Sequence, residues 1–368
     1  MSTTPAKTDS PGAPRGPYRL AGLANLSPAY FGVVMATGIV SIAAHLLGLP
    51  RVAQALFWLN LPAYAILWLL SAARMVRHPR RFFGDMIDHQ RGPGFFTVVA
   101  GTSVLGCQFV MLADDFQTAR ALWLLALVLW LCLTYAIFAA LTVKEDKPAL
   151  DQGINGAWLL AVVATQSIAV LAAILATHEE AIWKLALNFF ALSMWLWGGM
   201  LYIWMMSLIF YRYTFYRLSP QDLAPPYWIN MGAMAISTLA GSLLVANAPD
   251  APFLTSLLPF LKGFTVLYWA TGTWWIPMLL VLGVWRHIYK RFPLRYDPLY
   301  WGAVFPLGMY AACTQQMAHA LNLPFLGLLP TVFLFVALSA WSLAFLGLLV
   351  DVARRLFSPA QPLQRPRP

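Results

Sequence analysis

The chain has 368 residues, of which 60% are hydrophobic and only 10% charged, with a mean hydropathy of +0.66. Soluble domains carry about a quarter charged residues, so this composition excludes a water-soluble fold and makes a lipid bilayer the solvent. The formal charge of +10 does not mark a nucleic-acid binder, because the basic residues lie in gaps between apolar runs, where they set membrane topology.

Residues 1–25 are rich in Pro, Gly, Ser and Thr and contain no short apolar core followed by a small-residue cleavage site. They read as a disordered cytoplasmic tail and not as a cleaved signal peptide. Residues 26–356 read as one ten-helix membrane domain, and the proline-rich residues 357–368 read as a second cytoplasmic tail. A crossing helix needs about 20 mostly apolar residues. Ten stretches qualify, over 26–48, 53–76, 94–113, 118–142, 155–177, 182–211, 225–247, 258–287, 298–321 and 326–353.

With ten spans, the tails and the loops after even spans share one side. That side collects every Lys and Arg except Arg51, Arg120, Lys184 and Lys262, so it holds twenty of the 24. The positive-inside rule then puts both termini in the cytoplasm of a cell membrane. Asp85, Asp88, His89 and Arg91, on the same side, read as a solvated loop. Cys107, Cys132 and Cys313 fall in separate spans without metal or redox spacing and read as small buried hydrophobes.

Odd and even spans differ in kind. The odd ones carry small, hydroxyl and amide residues, among them Gly32, Thr37, Gly38 and Ser41 in span one, Thr102 and Ser103 in span three, and Gln166 in span five. Thr238 in span seven and Gly308 and Thr314 in span nine continue the pattern, whereas even spans are dominated by Leu, Ala, Trp and Phe. Polar groups facing lipid are costly. The expected fold is therefore all-α, with ten transmembrane helices as five helical hairpins around a central pore and the odd-numbered helices as the inner ring. The ten residues just named are its candidate lining. Pro306 stands inside span nine, where an interior proline frees a carbonyl and bends the helix, and Phe305 precedes it.

Four segments carry a resemblance: Ala29–Ser41, Gly92–Thr97, Tyr227–Ile236 and, most specific, the aromatic Phe-Pro segment Tyr300–Tyr310. In this order on a ten-span chain they resemble the tellurite-resistance/dicarboxylate transporter family. That family includes bacterial tellurite-resistance membrane proteins, fungal malate and sulfite transporters and plant slow-type guard-cell anion channels. The resemblance implies a homotrimer with one pore per subunit, and a pore occluded by a span-nine phenylalanine, whose matching position here is Phe305.

No Asp, Glu, Lys or Arg lies in the middle of an odd span, so anion selection would come from hydroxyl and amide donors, helix dipoles and the basic rim. The expected function is passage of small anions through a phenylalanine-gated pore. The alternative is a proton-coupled or facilitative carrier of C4-dicarboxylates or sulfite, for which His45 and His319, near the outer ends of spans one and nine, are the candidate pH-sensitive groups. No H-E-x-x-H, G-x-S-x-G or P-loop motif points to an enzyme, a metal or a cofactor.

Overall fold

The computed structural model describes residues 22–294 and 296–357. The tails expected over 1–25 and 357–368 thus lie outside the described residues, except at their inner margins. Residues 22–25 depart from the tail reading. Leu23–Asn25 form a 3₁₀ turn whose Ala24 carbonyl accepts from Arg74 Nε at 3.2 Å.

Among the described residues there are ten long helices: α1 Gly32–Leu46, α2 Pro50–Arg77, α3 Phe96–Ala113, α4 Phe116–Val143, α5 Leu160–Ala176, α6 Ala181–Phe215, α7 Ile229–Asn247, α8 Leu258–Val284, α9 Trp301–Ala320 and α10 Leu328–Phe357. Each odd helix joins the following even one through a short connection at one end of the bundle. Left-handed residues close three of these: Gly48 (φ 80°), Asp114 (φ 51°) and Asn322 (φ 58°), a conformation that Gly, Asn and Asp adopt most cheaply. Longer, basic connections lie at the other end, hereafter the basic end; one holds the short helix Pro79–Met86.

The odd helices contact one another in a closed cycle, α1 to α3, α5, α7, α9 and back to α1, and the even helices pack outside them. Burial follows the same division. The crossing segments built on α1, α3, α5 and α7 are between 72 and 94% buried, those built on the even helices between 17 and 50%. Exposed residues such as Leu69, Trp183 and Leu343 give the even helices an apolar outer surface.

Among the described residues, nine helical segments are long and apolar enough to cross a bilayer. The one left out is α9, which carries Gln315, Gln316 and His319. At 20 residues it has the length of a crossing, and it packs among α1, α7, α8 and α10 with most of its residues buried and His319 exposed at its C-terminal end, so it needs little apolar surface of its own.

Candidate functional site

Every inner helix begins with a 3₁₀ turn at the basic end: Pro28–Phe31, Gly92–Phe95, Gly156–Leu159, Pro225–Trp228 and Pro298–Tyr300. Proline opens or nearly opens four of them, at positions where its missing N–H costs nothing. Each turn contacts the next, and the last contacts the first, so the five form a closed rim. The approach is close enough that a Cβ on Gly156 would lie 2.6 Å from the Pro226 carbonyl oxygen, and only glycine fits there. Five parallel helix N-termini therefore converge on this rim, each carrying roughly half a positive charge.

Inside the ring, in the half nearer the helix C-termini, lies a cavity of about 30 Å³. It is lined by Ile39, Ile42 and Leu46 of α1, Val104, Cys107 and Met111 of α3, Ser167, Val170 and Ile174 of α5, Ile236, Leu239 and Leu243 of α7, and Met309 and Gln316 of α9. On the first four helices these are positions i, i+3 and i+7, one stripe per helix facing the axis. No charged side chain lies on this lining. The corresponding sequence signal is the same apolar spacing repeated on successive odd spans, which polarity does not mark.

The same register, one turn nearer the basic end, selects Met35, Ala100, Val163, Gly232 and Phe305. All five are buried, and Phe305 is 0% exposed. This layer holds one aromatic ring among smaller groups, and none of its five residues lines the cavity above it. Pro306 seats its ring against α7 at Gly232, where an added Cβ would lie 2.7 Å from Pro306 Cγ.

None of the ten expected lining residues borders the cavity; most of them turn to neighbouring helices. Thr37 accepts from Trp341 Nε1 of α10 at 3.0 Å. Thr102 pairs with Tyr64 Oη of α2 at 2.9 Å, and Thr314 accepts from Trp269 Nε1 of α8 at 3.0 Å. Ser41 donates to the Ala53 carbonyl, Gln166 to the Trp195 carbonyl and Thr238 to Met234 in its own helix. Ser103 Oγ is buried without a hydrogen-bond partner. Gly38 and Gly308 mark close approach, since added Cβ atoms would lie 2.6 Å from Val104 and 2.9 Å from Val40, whereas one on Gly32 would meet Trp301 at an ordinary contact distance of 3.6 Å. The physical reason is that a buried hydroxyl must be paired, and the outer helices supply donors where a dry lumen cannot.

These pairings repeat around the ring. Tyr64 of α2 meets Thr102 of α3, Trp130 of α4 donates to Thr165 of α5, and Trp195 of α6 donates to the Ser237 carbonyl of α7. Trp269 of α8 meets Thr314 of α9, and Trp341 of α10 returns to Thr37 of α1. Each outer helix is thus pinned to the inner helix of the next hairpin, and the tenth closes the circle onto the first.

His45 and His319 are exposed at the C-terminal ends of α1 and α9 and are not among the lining residues. His319 Nε2 lies 3.1 Å from Gln315 Nε2. At the basic end, the loop read as solvated is partly structural. Asp85 bridges Arg74 at 2.5 Å and Arg91 at 3.1 Å, and the Arg74 side chain is only 3% exposed. Arg212 is likewise buried, donating to the Asp151 carbonyl and to Tyr227 Oη in the rim. An open groove of about 380 Å³ runs beside His89, Lys144, Asp146 and Lys147, away from the lumen lining. There burial, and then Lys144, hold the His89 imidazole below its ordinary range. Of the cysteines, Cys107 and Cys313 are buried as expected, whereas Cys132 is exposed on outer helix α4.

A parallel five-helix ring, sealed by an outer ring and empty of charge along its axis, is the geometry of a transmembrane conduit. Residues 25–349 match the voltage-dependent anion channel family. The chain belongs to that family. It is also 40% identical over 153 residues to an uncharacterized membrane protein of Mycobacterium tuberculosis, covering 42% of this chain and 77% of the relative. An uncharacterized transporter of Methanocaldococcus jannaschii is 24% identical over 299 residues, 79% of this chain and 84% of the relative. A sulfite efflux pump of Trichophyton rubrum is 24% identical over 352 residues, 88% of this chain and 90% of the relative. The family's members are channels and transporters, in agreement with the resemblance read from the sequence.

Proposed function

We propose that this protein passes small inorganic anions across a cell membrane through the lumen of its inner ring, with Phe305 as the gate. It crosses the membrane ten times with the basic end and both termini in the cytoplasm. The observation that carries the reading is the lumen itself: five parallel helices, no charged side chain on the lining, and one buried aromatic side chain, Phe305, on the axial stripe beneath the cavity. The converging helix N-termini and the basic loops attract anions to the cytoplasmic rim, while a neutral wall holds no ion tightly and so favours passage.

The cavity of about 30 Å³ has room for roughly two water molecules by the same measure. That suits a chloride-sized ion or a small oxyanion better than a C4-dicarboxylate. Rotation of Phe305, or a small shift of α9 about Pro306, would join this cavity to the cytoplasmic rim. The apolar outer face of the even helices is covered by lipid and, in a homotrimer, partly by two further copies.

A second reading, a carrier of sulfite or related anions, is favoured by the sulfite efflux pumps among the relatives. Proton coupling would then fall to His45 or His319. The test is anion flux through purified protein in liposomes, wild type against Phe305→Ala, with chloride, nitrate, sulfite and malate at two pH values and with and without voltage. A large, voltage-following rise in the variant supports the gated channel. Unchanged flux, or uptake that follows the proton gradient, rejects the gate in favour of the carrier.

A further inference from the structure

The cavity wall is apolar except at three side chains, and these differ in what they can offer an anion. Ser167 spends its hydroxyl proton on the Ala164 carbonyl at 2.7 Å, so it presents only lone pairs. Cys107 is a weak donor at best. Gln316 carries two N–H donors and makes no hydrogen bond among the described residues, although it borders the lumen. Its sequence neighbour Gln315 is engaged with His319. Deeper amides lie off the cavity wall: Asn60 donates to Val34 and Gln108, Gln166 to Trp195 and Asn247 to Ala173 and Asn188, while Gln108 Nε2 is buried without a partner and does not border the cavity.

Electrostatics gives this one free amide on the cavity wall a task. All five inner helices end on the side where the cavity lies, so their C-termini surround it with partial negative charge. An anion at that level leaves water, meets alkyl groups and faces unfavourable dipoles, so its passage needs a donor to offset part of the lost hydration. Gln316 supplies that donor, at the same register of α9 as Met309 and Phe305.

Resting on the reading of the lumen as an anion path, we propose that Gln316 is the anion-coordinating residue of the lumen's C-terminal half. Through it the path admits small, strongly hydrated anions that apolar walls alone would reject. Weakly hydrated anions such as thiocyanate depend on it less, because they lose less on leaving water.

The test uses the full chain with Gln316→Leu, which keeps the volume and removes the donors, and Gln316→Glu, which keeps the shape and replaces the donors with a carboxylate. Each is made alone and combined with Phe305→Ala. In liposomes, the chloride-to-thiocyanate flux ratio is expected to fall about five-fold in Gln316→Leu/Phe305→Ala relative to Phe305→Ala, in keeping with loss of one charge-assisted hydrogen bond at a partly hydrated site. Gln316→Glu is expected to lower chloride flux further. Independently of flux, the melting temperature of purified protein in chloride, compared with gluconate at equal ionic strength, should rise in wild type and Phe305→Ala and not in Gln316→Leu. Loss of that rise in Gln316→Leu, even with Phe305→Ala carrying no extra flux, upholds the site and rejects the gate. An unchanged flux ratio, or a chloride response equal or absent in wild type and Gln316→Leu alike, overturns the assignment of Gln316.

Discussion

Gly232 of α7 and Pro306 of α9 meet with no room for another carbon: a Cβ on the glycine would lie 2.7 Å from Pro306 Cγ and 3.0 Å from Pro306 Cβ. The neighbour is a rigid ring on an enclosed helix, so it cannot swing aside as a flexible side chain would. Gly232→Ala is therefore expected to push α9 away from α7, at a stability loss of about 1–3 kcal/mol, and to raise basal anion leak by disturbing the layer that holds Phe305. Melting temperature and liposome flux measured together check this. If both are unchanged, the seam has slack and α9 is not positioned by this contact.

Phe305→Ala opens a void in a layer otherwise made of Met35, Ala100, Val163 and Gly232, and is expected to raise anion flux at least ten-fold with similar protein yield. Phe305→Trp, which keeps an aromatic block, is expected to hold flux near the wild-type level. A Trp variant as leaky as the Ala variant would show that packing of α9, and not the ring itself, closes the path.

Trp341 and Thr37 close the outer ring onto the first helix through a 3.0 Å hydrogen bond between residues 304 positions apart. Trp341→Phe and Thr37→Val should each lower stability by about 1 kcal/mol, with a coupling of similar size when combined. A double-mutant cycle on unfolding in detergent reads that coupling. A coupling near zero would mean that the indole bond adds nothing to ring closure.

The pair Arg74–Asp85 lies at the basic end with the arginine side chain 3% exposed and the aspartate 14%. Removing the acid leaves a buried guanidinium whose remaining partners, the Ala24 carbonyl and the face of Phe82, carry no negative charge. Asp85→Ala is expected to cost about 3 kcal/mol, and Asp85→Ala/Arg74→Met less than Asp85→Ala alone. Chemical denaturation of the three proteins compares them directly.

Asp297 caps the last rim turn, accepting from Leu299 N at 2.8 Å, yet burial raises its pKa above the ordinary 3.8. A carboxyl whose folded pKa is raised binds protons more tightly in the folded state. Its contribution is therefore full below the unfolded pKa and is lost as pH rises through the folded value. Asp297→Asn keeps the cap without the charge, so it should flatten that part of the stability-pH profile and be neutral to mildly stabilising at pH 7. Melting temperatures between pH 3 and pH 7 decide. A larger loss of stability in the variant at pH 7 would mean that the charge is needed there, as by nearby Arg286.

Much of the architecture was legible before any coordinate was known, because a bilayer tests each segment by length and polarity with little regard to its neighbours. The expected span limits differ from the observed helices by a few residues at most ends, largely because 3₁₀ turns lead into the inner helices. The contrast between Thr, Ser and Gly in odd spans and Leu and Trp in even ones separates inner from outer helices for the same reason: lipid penalises exposed polar groups wherever they occur.

Which face of each inner helix meets the axis depended on tertiary structure alone. Thr37, Thr102 and Thr314 are correctly assigned to inner helices, yet their hydroxyls point to the indoles and phenol of α10, α2 and α8, and the axial stripe is Ile39, Val104, Ile236 and Met309. Polarity in a sequence says that a group must be satisfied and not by whom; a partner 304 residues away is invisible until the ring closes. The amino-acid sequence by itself determined solvent, span pattern and the two kinds of helix, since those follow from local transfer energies. The lumen lining, the Gly232–Pro306 seam and the unpaired amide of Gln316 were decided by packing between helices distant in the chain, which no single segment encodes.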